Sequence, residues 1–282
     1  MARAKNFITL TEAADRLGVH YMTAYRYIRT GRLPGVKQGH EWQVDAADVD
    51  ALNRAVARQE QQPARRRRTR RSDYPRRLVD RLVGADEAGA WTLVESAMTG
   101  GMSPEQIYLE LLTPALESIG DRWARGEVSV AEEHQASAIV QRLIGRLGPH
   151  FAKRGRKRGI VLIGTPPLEM HGLPSALLSD LLRSRSFEVH DLGADVPSES
   201  WAHTAGTTDR LVAIGLCATT PGHEHVIIET ISAVRAATDT PIVLGGGAIT
   251  SAGHALDLGA TAYSASFDEA LAHIDAIAAA RR

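Results

Sequence analysis

The spacing of apolar positions changes character along the chain and divides it into four segments. In the first, residues 1–57, positions 10–19 carry helical patterning with a turn at Gly18, and positions 21–29 carry it again, ending before Gly31. Residues 36–44 then read as a hairpin turning at Gly39, and residues 45–52 as a closing helix. The second segment, residues 58–77, is rich in Gln and Arg and almost free of apolar residues. It cannot bury enough surface to fold alone and reads as a linker. Its run Arg65-Arg-Arg-Arg-Thr-Arg-Arg71 serves equally as a phosphate contact or a solubilising tether.

The third segment, residues 78–157, has helical periodicity. Ser103-Pro104-Glu105-Gln106 and Ser129-Val130-Ala131-Glu132 each place a capping serine three residues before Gln or Glu, which marks two helix starts. Leu109, Leu112, Leu116 and Ile119 recur at helical spacing, and Pro114 must kink that helix or distort one turn. Short connections favour an antiparallel bundle of about four helices. The fourth segment, residues 158–282, alternates apolar strands near 160–163, 188–192, 211–216 and 241–244 with helices, one of them near 175–185. Buried strands separated by helices predict a doubly wound parallel sheet, with ligands at the carboxyl ends of its strands. The expected fold class is therefore multidomain, α and α/β: a winged helix-turn-helix, a four-helix bundle and a Rossmann-like domain.

Composition narrows the function. Hydrophobic residues make up 44% and charged residues 23% of the 282, as in ordinary soluble proteins. No apolar run approaches a membrane span, and residues 1–6 are basic with no signal-type apolar core behind them, so the expectation is a cytoplasmic protein without a membrane partner. The single cysteine, Cys217, leaves no intramolecular disulfide and no cysteine-cluster metal site. Net charge is zero, yet residues 1–77 hold 17 Lys and Arg against 8 Asp and Glu, while residues 78–282 hold 16 against 25. A basic first part on an acidic remainder suggests that the first part meets a polyanion.

Helix, turn, helix and wing is a layout for binding double-stranded DNA. The second helix would enter the major groove with Thr23, Tyr25, Arg26 and Arg29, and the wing would offer Lys37 and His40 to phosphates or the minor groove. The alternative is a small helical protein-interaction domain. These residues resemble the excisionase-like branch of the MerR superfamily of winged helix-turn-helix domains over roughly residues 7–52.

The remaining chemistry centres on Thr165-Pro-Pro-Leu-Glu-Met-His171, the loop after the first strand of the parallel sheet. A lone loop histidine is most often an ordinary surface group. Here Glu169, two residues earlier, can accept a hydrogen bond from one ring nitrogen of His171, fixing its tautomer and raising its basicity as a ligand. Gly245, Gly246 and Gly247 follow the fourth strand, where absent side chains permit close approach by a bulky ligand. Trp123 closes one helix, and Glu133 and His134 lie early in the next, so all three can line one cavity.

Together these features resemble the cobalamin-binding module of light-sensing cobalamin repressors of the CarH type, related to that of methionine synthase, over roughly residues 78–272. Trp123 with Val130-Ala-Glu-Glu133-His134 fits the family's Trp, nine residues, Glu-His signature. Residues 165–171 fit its lower-ligand loop, Gly215-Leu-Cys217-Ala-Thr219 its Ser-containing element, and Gly245-Gly246 its double glycine. The resemblance implies adenosylcobalamin as cofactor, with His171 binding the cobalt from below. The displaced nucleotide tail would lie along Cys217, Thr219, Gly245 and Gly246, and Trp123, Val130, Glu133 and His134 would cover the upper face. It further implies a regulator, not an enzyme, that assembles as a dimer or tetramer. This chain departs from the family in carrying Pro174 for a glycine, Cys217 for a serine and Ala124 for a histidine. Two other readings stay open: a cobalamin carrier subunit of a methyltransferase or mutase, and a DNA-binding regulator whose module senses another ligand or chromophore.

Overall fold

The computed structural model describes residues 6–19, 21–29, 32–38, 41–53 and 73–281, which fall into two units, residues 1–73 and 74–282. In the first unit a strand, β1 (Phe7–Thr9), leads into α1 (Leu10–Leu17). Thr9 caps that helix: its hydroxyl accepts from the Glu12 N–H, and the Glu12 carboxylate accepts from the Thr9 N–H. Gly18, at φ 64, takes the left-handed conformation that stops the helix. Next come α2 (Tyr21–Arg29), the antiparallel pair β2 (Gly35–Gln38) and β3 (Glu41–Asp45), and α3 (residues 46–53). The turn at 39–40 lies outside the described residues. β1 pairs with the other edge of β3, giving the order β1-β3-β2. Leu10, Ala13, Ala14, Ala24, Leu33, Val44 and Val49 form the core of this unit.

The second unit starts with α4 (Tyr74–Val83), inside the stretch assigned to the linker. The linker boundary at 77 is thus too late. The helix buries Leu78, Val79 and Leu82, while Arg76 and Arg77 lie on its exposed side and continue the arginine-rich composition of the tract before it. Then follow α5 (Glu87–Thr99), α6 (Pro104–Gln106), a π-helical turn (Ile107–Leu112), α7 (Thr113–Ala124) and α8 (Val130–Leu147). Both expected serine capping boxes, at Ser103 and Ser129, are formed. The turn ahead of Pro114 is distorted as expected: proline has no N–H to continue the ladder, and Thr113 donates five residues back to the Tyr108 carbonyl.

A five-stranded, all-parallel sheet follows: β4 (Ile160–Gly164), β5 (Glu188–Asp191), β6 (Leu211–Cys217), β7 (Ile242–Gly245) and β8 (Ala262–Ser264), in the order β5-β4-β6-β7-β8. The helices α9 (Leu173–Ser184), α10 (Ser198–Thr207), α11 (Glu224–Ala237), α12 (Ala252–Asp257) and α13 (Phe267–Ala280) cover it. Strand alternation divides the core. Val161, Ile163, Ala213 and Val243 join α9, α13 and the helical bundle, whereas Leu162, Ile214, Leu216, Ile242 and Leu244 pack with Trp201, Ile227 and Val234 on the other face. Bundle and sheet therefore share one continuous core.

A buried polar contact fixes their relation. The Tyr108 hydroxyl, on the π-helical turn, donates to Asp180 of α9 at 2.7 Å, and Arg183 donates to the other oxygen of the same carboxylate at 2.8 Å. Burial, and then the Asp180 charge, push the Tyr108 phenol well above its ordinary range, so it remains a donor. Tyr108→Phe removes a hydrogen bond to a charged group while leaving Asp180 with Arg183. We expect urea unfolding to report a loss of about 2 kcal/mol.

Candidate functional site

In this strand order the connections from β4 and β6 diverge, which opens a crevice at their carboxyl ends. The loop after β4, residues 165–172, is braced from below. The Thr165 hydroxyl donates to the Glu169 carbonyl at 2.6 Å, the Trp201 indole N–H donates to the Thr165 carbonyl at 3.1 Å, and Asp195 Oδ1 accepts from the Leu168 N–H at 2.8 Å. Leu168 is held in the left-handed region, at φ 67, a conformation unfavourable for a residue with a Cβ.

Glu169 is the hub. Its side chain is 3% exposed. One carboxylate oxygen accepts from the backbone N–H groups of Thr219 and Thr220 at 2.5 and 2.7 Å. The other accepts from the His171 N–H at 3.0 Å and the Thr220 hydroxyl at 3.2 Å, and lies 2.6 Å from His171 Nδ1. Burial works to raise the Glu169 pKa, but the hydrogen bonds from Thr220, Thr219 and His171 outweigh it and hold the carboxyl below its ordinary value. An ionised carboxylate against Nδ1 places the proton on that nitrogen and leaves the Nε2 lone pair for a ligand. The His171 side chain is 57% exposed. A single imidazole is too few donors to hold a free metal ion, but it suffices as the axial ligand of a metal already held in a macrocycle.

Behind this loop lies a cavity of about 600 Å³, between the strand ends, α9, α13 and the start of α7. Cys217, Thr219, Gly245 and Gly246 line it. Burial first, and then the charges of Glu169 and Asp191, push the Cys217 thiol up to about 12, so it stays protonated. Gly246 has a second reason to be glycine: it takes φ 107, and a Cβ there would fall 2.3 Å from the Ala218 carbonyl oxygen. Pro174, in the first turn of α9, also lines the cavity; at that position a missing N–H costs nothing.

Trp123, Val130, Glu133 and His134 do not line this cavity. They lie at the connection between α7 and α8, with Trp123 50% and Val130 57% exposed. Glu133 accepts from the Ser137 hydroxyl at 2.6 Å and lies 2.7 Å from His134 Nδ1. On α7, Thr113, Leu116 and Glu117 face the cavity; Gly120 and Trp123 continue that helical face, and a Cβ at Gly120 would meet open space. Thr220 and Asp195, which hold the loop, were missed in the sequence because backbone and long-range contacts leave no local pattern. In the first unit, Lys37 is exposed on β2, and Tyr25 is half-buried, edge-on to Trp42 at 6.4 Å. Thr23, Arg26 and Arg29 fall within α2, but their side chains, like all of His40, lie outside the described residues.

Residues 75–147 and 159–275 each match a family model described as a B12 binding domain, and residues 7–54 match one described as a helix-turn-helix domain. The chain is 27% identical over 200 residues to the dimethylamine corrinoid protein of Methanosarcina barkeri, covering 69% of this chain and 92% of that protein. It is 26% identical over 198 residues to dimethylamine corrinoid protein 3 of Methanosarcina acetivorans, again covering 69% and 92%. The solved structure of the Methanosarcina barkeri monomethylamine corrinoid protein superposes with a TM-score of 0.63 at 19% identity, covering 71% of this chain and 96% of that one, which establishes the shared fold. Cobalamin binding is thus supported, within a helical and Rossmann-like module that accompanies a helix-turn-helix. Among the described residues, no helix is long and apolar enough to cross a membrane.

Glu169→Gln places an amide donor against several N–H groups. We expect a loss of about 2 kcal/mol in unfolding free energy at neutral pH. A carboxyl whose folded-state pKa is lowered stabilises fully above its unfolded value, about 4.3, and ceases to do so as pH falls through the folded value. The gap between wild type and variant in urea melts should therefore hold from pH 7 to about 5 and close in stronger acid.

Proposed function

We propose that this chain is a cobalamin-dependent, light-responsive, DNA-binding transcriptional regulator, acting as a repressor, with adenosylcobalamin as its sensor ligand. The observation that carries this reading is the pairing, in one chain, of a helix-turn-helix segment with a loop that presents one oriented imidazole beside a largely apolar cavity. His171 Nε2 would bind cobalt from below while Glu169 keeps the proton on Nδ1. The tail would occupy the cavity along Cys217, Thr219, Gly245 and Gly246. Trp123 and Val130 are exposed apolar groups that a bulky ligand would cover, and Glu133 orients His134 beside them. When bound, the cofactor supplies a cobalt–carbon bond that light can break. Ala124, beside Trp123, carries no side-chain lone pair with which to bind a metal.

A homo-oligomer, dimer or tetramer, would present several DNA-binding units at once, and linked sites raise effective concentration without new contacts. A second reading, a corrinoid carrier subunit for a methyltransferase, is favoured by the names of the relatives. It leaves the helix-turn-helix segment without a role. The deciding experiment is the absorption spectrum of the protein with adenosylcobalamin before and after illumination, beside a gel shift on its own promoter region.

For His171→Ala we expect the imidazole-ligated cobalamin spectrum to vanish and affinity to fall by at least about tenfold. A spectrum and affinity matching wild type would overturn the lower-ligand assignment. For Arg26→Ala, DNA affinity at fixed salt should fall by about 1–3 kcal/mol with the cobalamin spectrum unchanged. Equal DNA affinity would move the reading surface off α2.

A further inference from the structure

Charge is unevenly placed on the second unit. Residues 78–282 hold 16 Lys and Arg against 25 Asp and Glu, yet no acidic residue occurs between Glu133 and Glu169. Inside that gap runs Lys153-Arg-Gly-Arg-Lys-Arg158, five of those 16 cations in six residues. Elsewhere in the unit cations stand beside carboxylates: Arg81 with Asp86, Arg125 with Glu127, Arg142 with Glu87 and Arg183 with Asp180. Lys153, Arg154 and Arg156 are exposed and, among the described residues, have no carboxylate within ion-pair reach. A run of one sign without counter-charge, on a unit of opposite overall charge, is the footprint of a polyanion.

The loop that carries these cations is anchored at both ends. Phe151, before it, is buried with its ring 4.5 Å from that of Tyr108. Arg158, at its end, joins Asp275 and lies over the Phe187 ring, 4.4 Å from the centroid. Between them Gly155 takes φ 101, and the Lys157 ammonium donates back to the Lys153 carbonyl at 2.5 Å. The loop leads into β4, so it lies at the amino ends of the strands, away from His171. Two more exposed cations flank it there. Arg210, in the turn before β6, donates to the Lys157 carbonyl at 3.0 Å, and Arg281, directly after α13, donates to the Leu211 carbonyl at 2.9 Å. Each guanidinium has five N–H groups, so donors remain. Cations also suit the last turn of a helix, which accounts for Arg281. Lys153, Arg154 and Arg156 lie in no helix.

The chemistry of the patch selects its partner. A protein interface has an apolar or aromatic centre and is depleted in lysine. The exposed run 152–156 reads Ala, Lys, Arg, Gly, Arg, with no large apolar side chain. Phosphates need only charge and N–H donors. We infer that the loop of residues 152–158 binds the phosphate backbone of double-stranded DNA through Lys153, Arg154 and Arg156, with Arg210 and Arg281 at its flank. This rests on the DNA-binding reading above and adds a contact, independent of sequence, that the helix-turn-helix does not supply. One chain carries both surfaces, so a duplex held by the first unit meets this loop at raised effective concentration.

The test uses the full chain and two duplexes of equal length, its own promoter region and a scrambled sequence, titrated by fluorescence anisotropy over a salt series. Lys153→Gln, Arg154→Gln and Arg156→Gln combined should weaken both duplexes by the same factor, roughly tenfold at about 100 mM salt, and flatten the slope of log Kd against log salt by about 2–3. Lys153→Arg, Arg154→Lys and Arg156→Lys combined keep the charge and should restore affinity and slope. The urea midpoint should match wild type in both variants, since the three side chains are exposed. Unchanged affinity and slope in the Gln variant would overturn the inference and leave the helix-turn-helix reading intact. A lowered urea midpoint, or failure of the charge-conserving variant, would overturn it by making the shape of the loop the cause. A loss of DNA affinity together with a smaller assembled mass in light scattering would overturn it as well, and assign the patch to an acidic face of a second copy. Wild type binding neither duplex would overturn the DNA-binding reading itself.

Discussion

The site depends on one buried carboxylate. Glu169 gathers the backbone N–H groups of Thr219 and Thr220, from the loop after β6, and the N–H and ring of His171, from the loop after β4. Those loops leave adjacent strands in diverging directions, so nothing in the sheet itself holds them together. A carboxylate can do so because it accepts at two oxygens and is strengthened by charge. Its ionisation also settles where the proton on the imidazole sits. The donor orientation of His171 is therefore a consequence of the same contact that closes the crevice. Thr165 and Asp195 extend the arrangement downward, fixing the backbone on which Glu169 stands.

The cavity beside this hub exists because the helical bundle and the sheet are not separate bodies. The bundle's Leu111, Leu143 and Phe151 and the sheet's Val161, Ile163 and Val243 belong to one core, and the Tyr108–Asp180 hydrogen bond crosses between them. The distorted turn before Pro114 sets where α7 begins, and hence which of its residues reach the cavity wall. An uninterrupted helix would carry Thr113 and Leu116 around its axis by a different angle. A local rule about proline thus has its effect at the site, two levels of structure away.

Much of this was legible in the sequence. The capping boxes at Ser103 and Ser129, the turn at Gly18, the proline distortion and four of the parallel strands carry local signals that tertiary packing does not override. The Glu169–His171 contact was legible because two residues of separation in a loop suffice for it. What was not legible is nonlocal or short. β1 and β8 have three residues each, too few for alternation to register. Thr219 and Thr220 meet Glu169 through backbone N–H groups, which every residue but proline has. The start of α4 was hidden because Arg76 and Arg77 on its solvent side match the composition of the tract before it, while the buried side begins only at Leu78. Trp123, Val130, Glu133 and His134, expected over the upper face of a ligand, stand apart from the cavity that Cys217, Thr219, Gly245 and Gly246 line, with Glu133 partly buried and the other three exposed.

The distribution of unfavourable features along the strand direction is itself informative. At the amino ends of the strands, Asp275 joins Arg158 and Arg185, Arg210 donates to the Lys157 carbonyl, and Arg281 donates to the Leu211 carbonyl, so these charges and carbonyls find partners. Left-handed non-glycine backbone occurs at both ends, at Ser186 and Arg210 before β5 and β6 and at Leu168 and Asp195 after β4 and β5, but the exposed side chains of Leu168 and Met170 and the unpartnered Ser264 hydroxyl lie at the carboxyl ends. Each of these lowers stability, and cheaper alternatives exist: glycine at 168, alanine at 264, polar residues at the loop tip. Local strain and unmet polar groups concentrate where a fold serves something other than its own stability. A group that binds there and meets these needs stabilises the folded chain by mass action, in proportion to how much better it binds the folded than the unfolded form. A ligand seated beside His171 would cover the exposed Leu168 and Met170 side chains, and so would offset a cost that the loop bears alone in its absence.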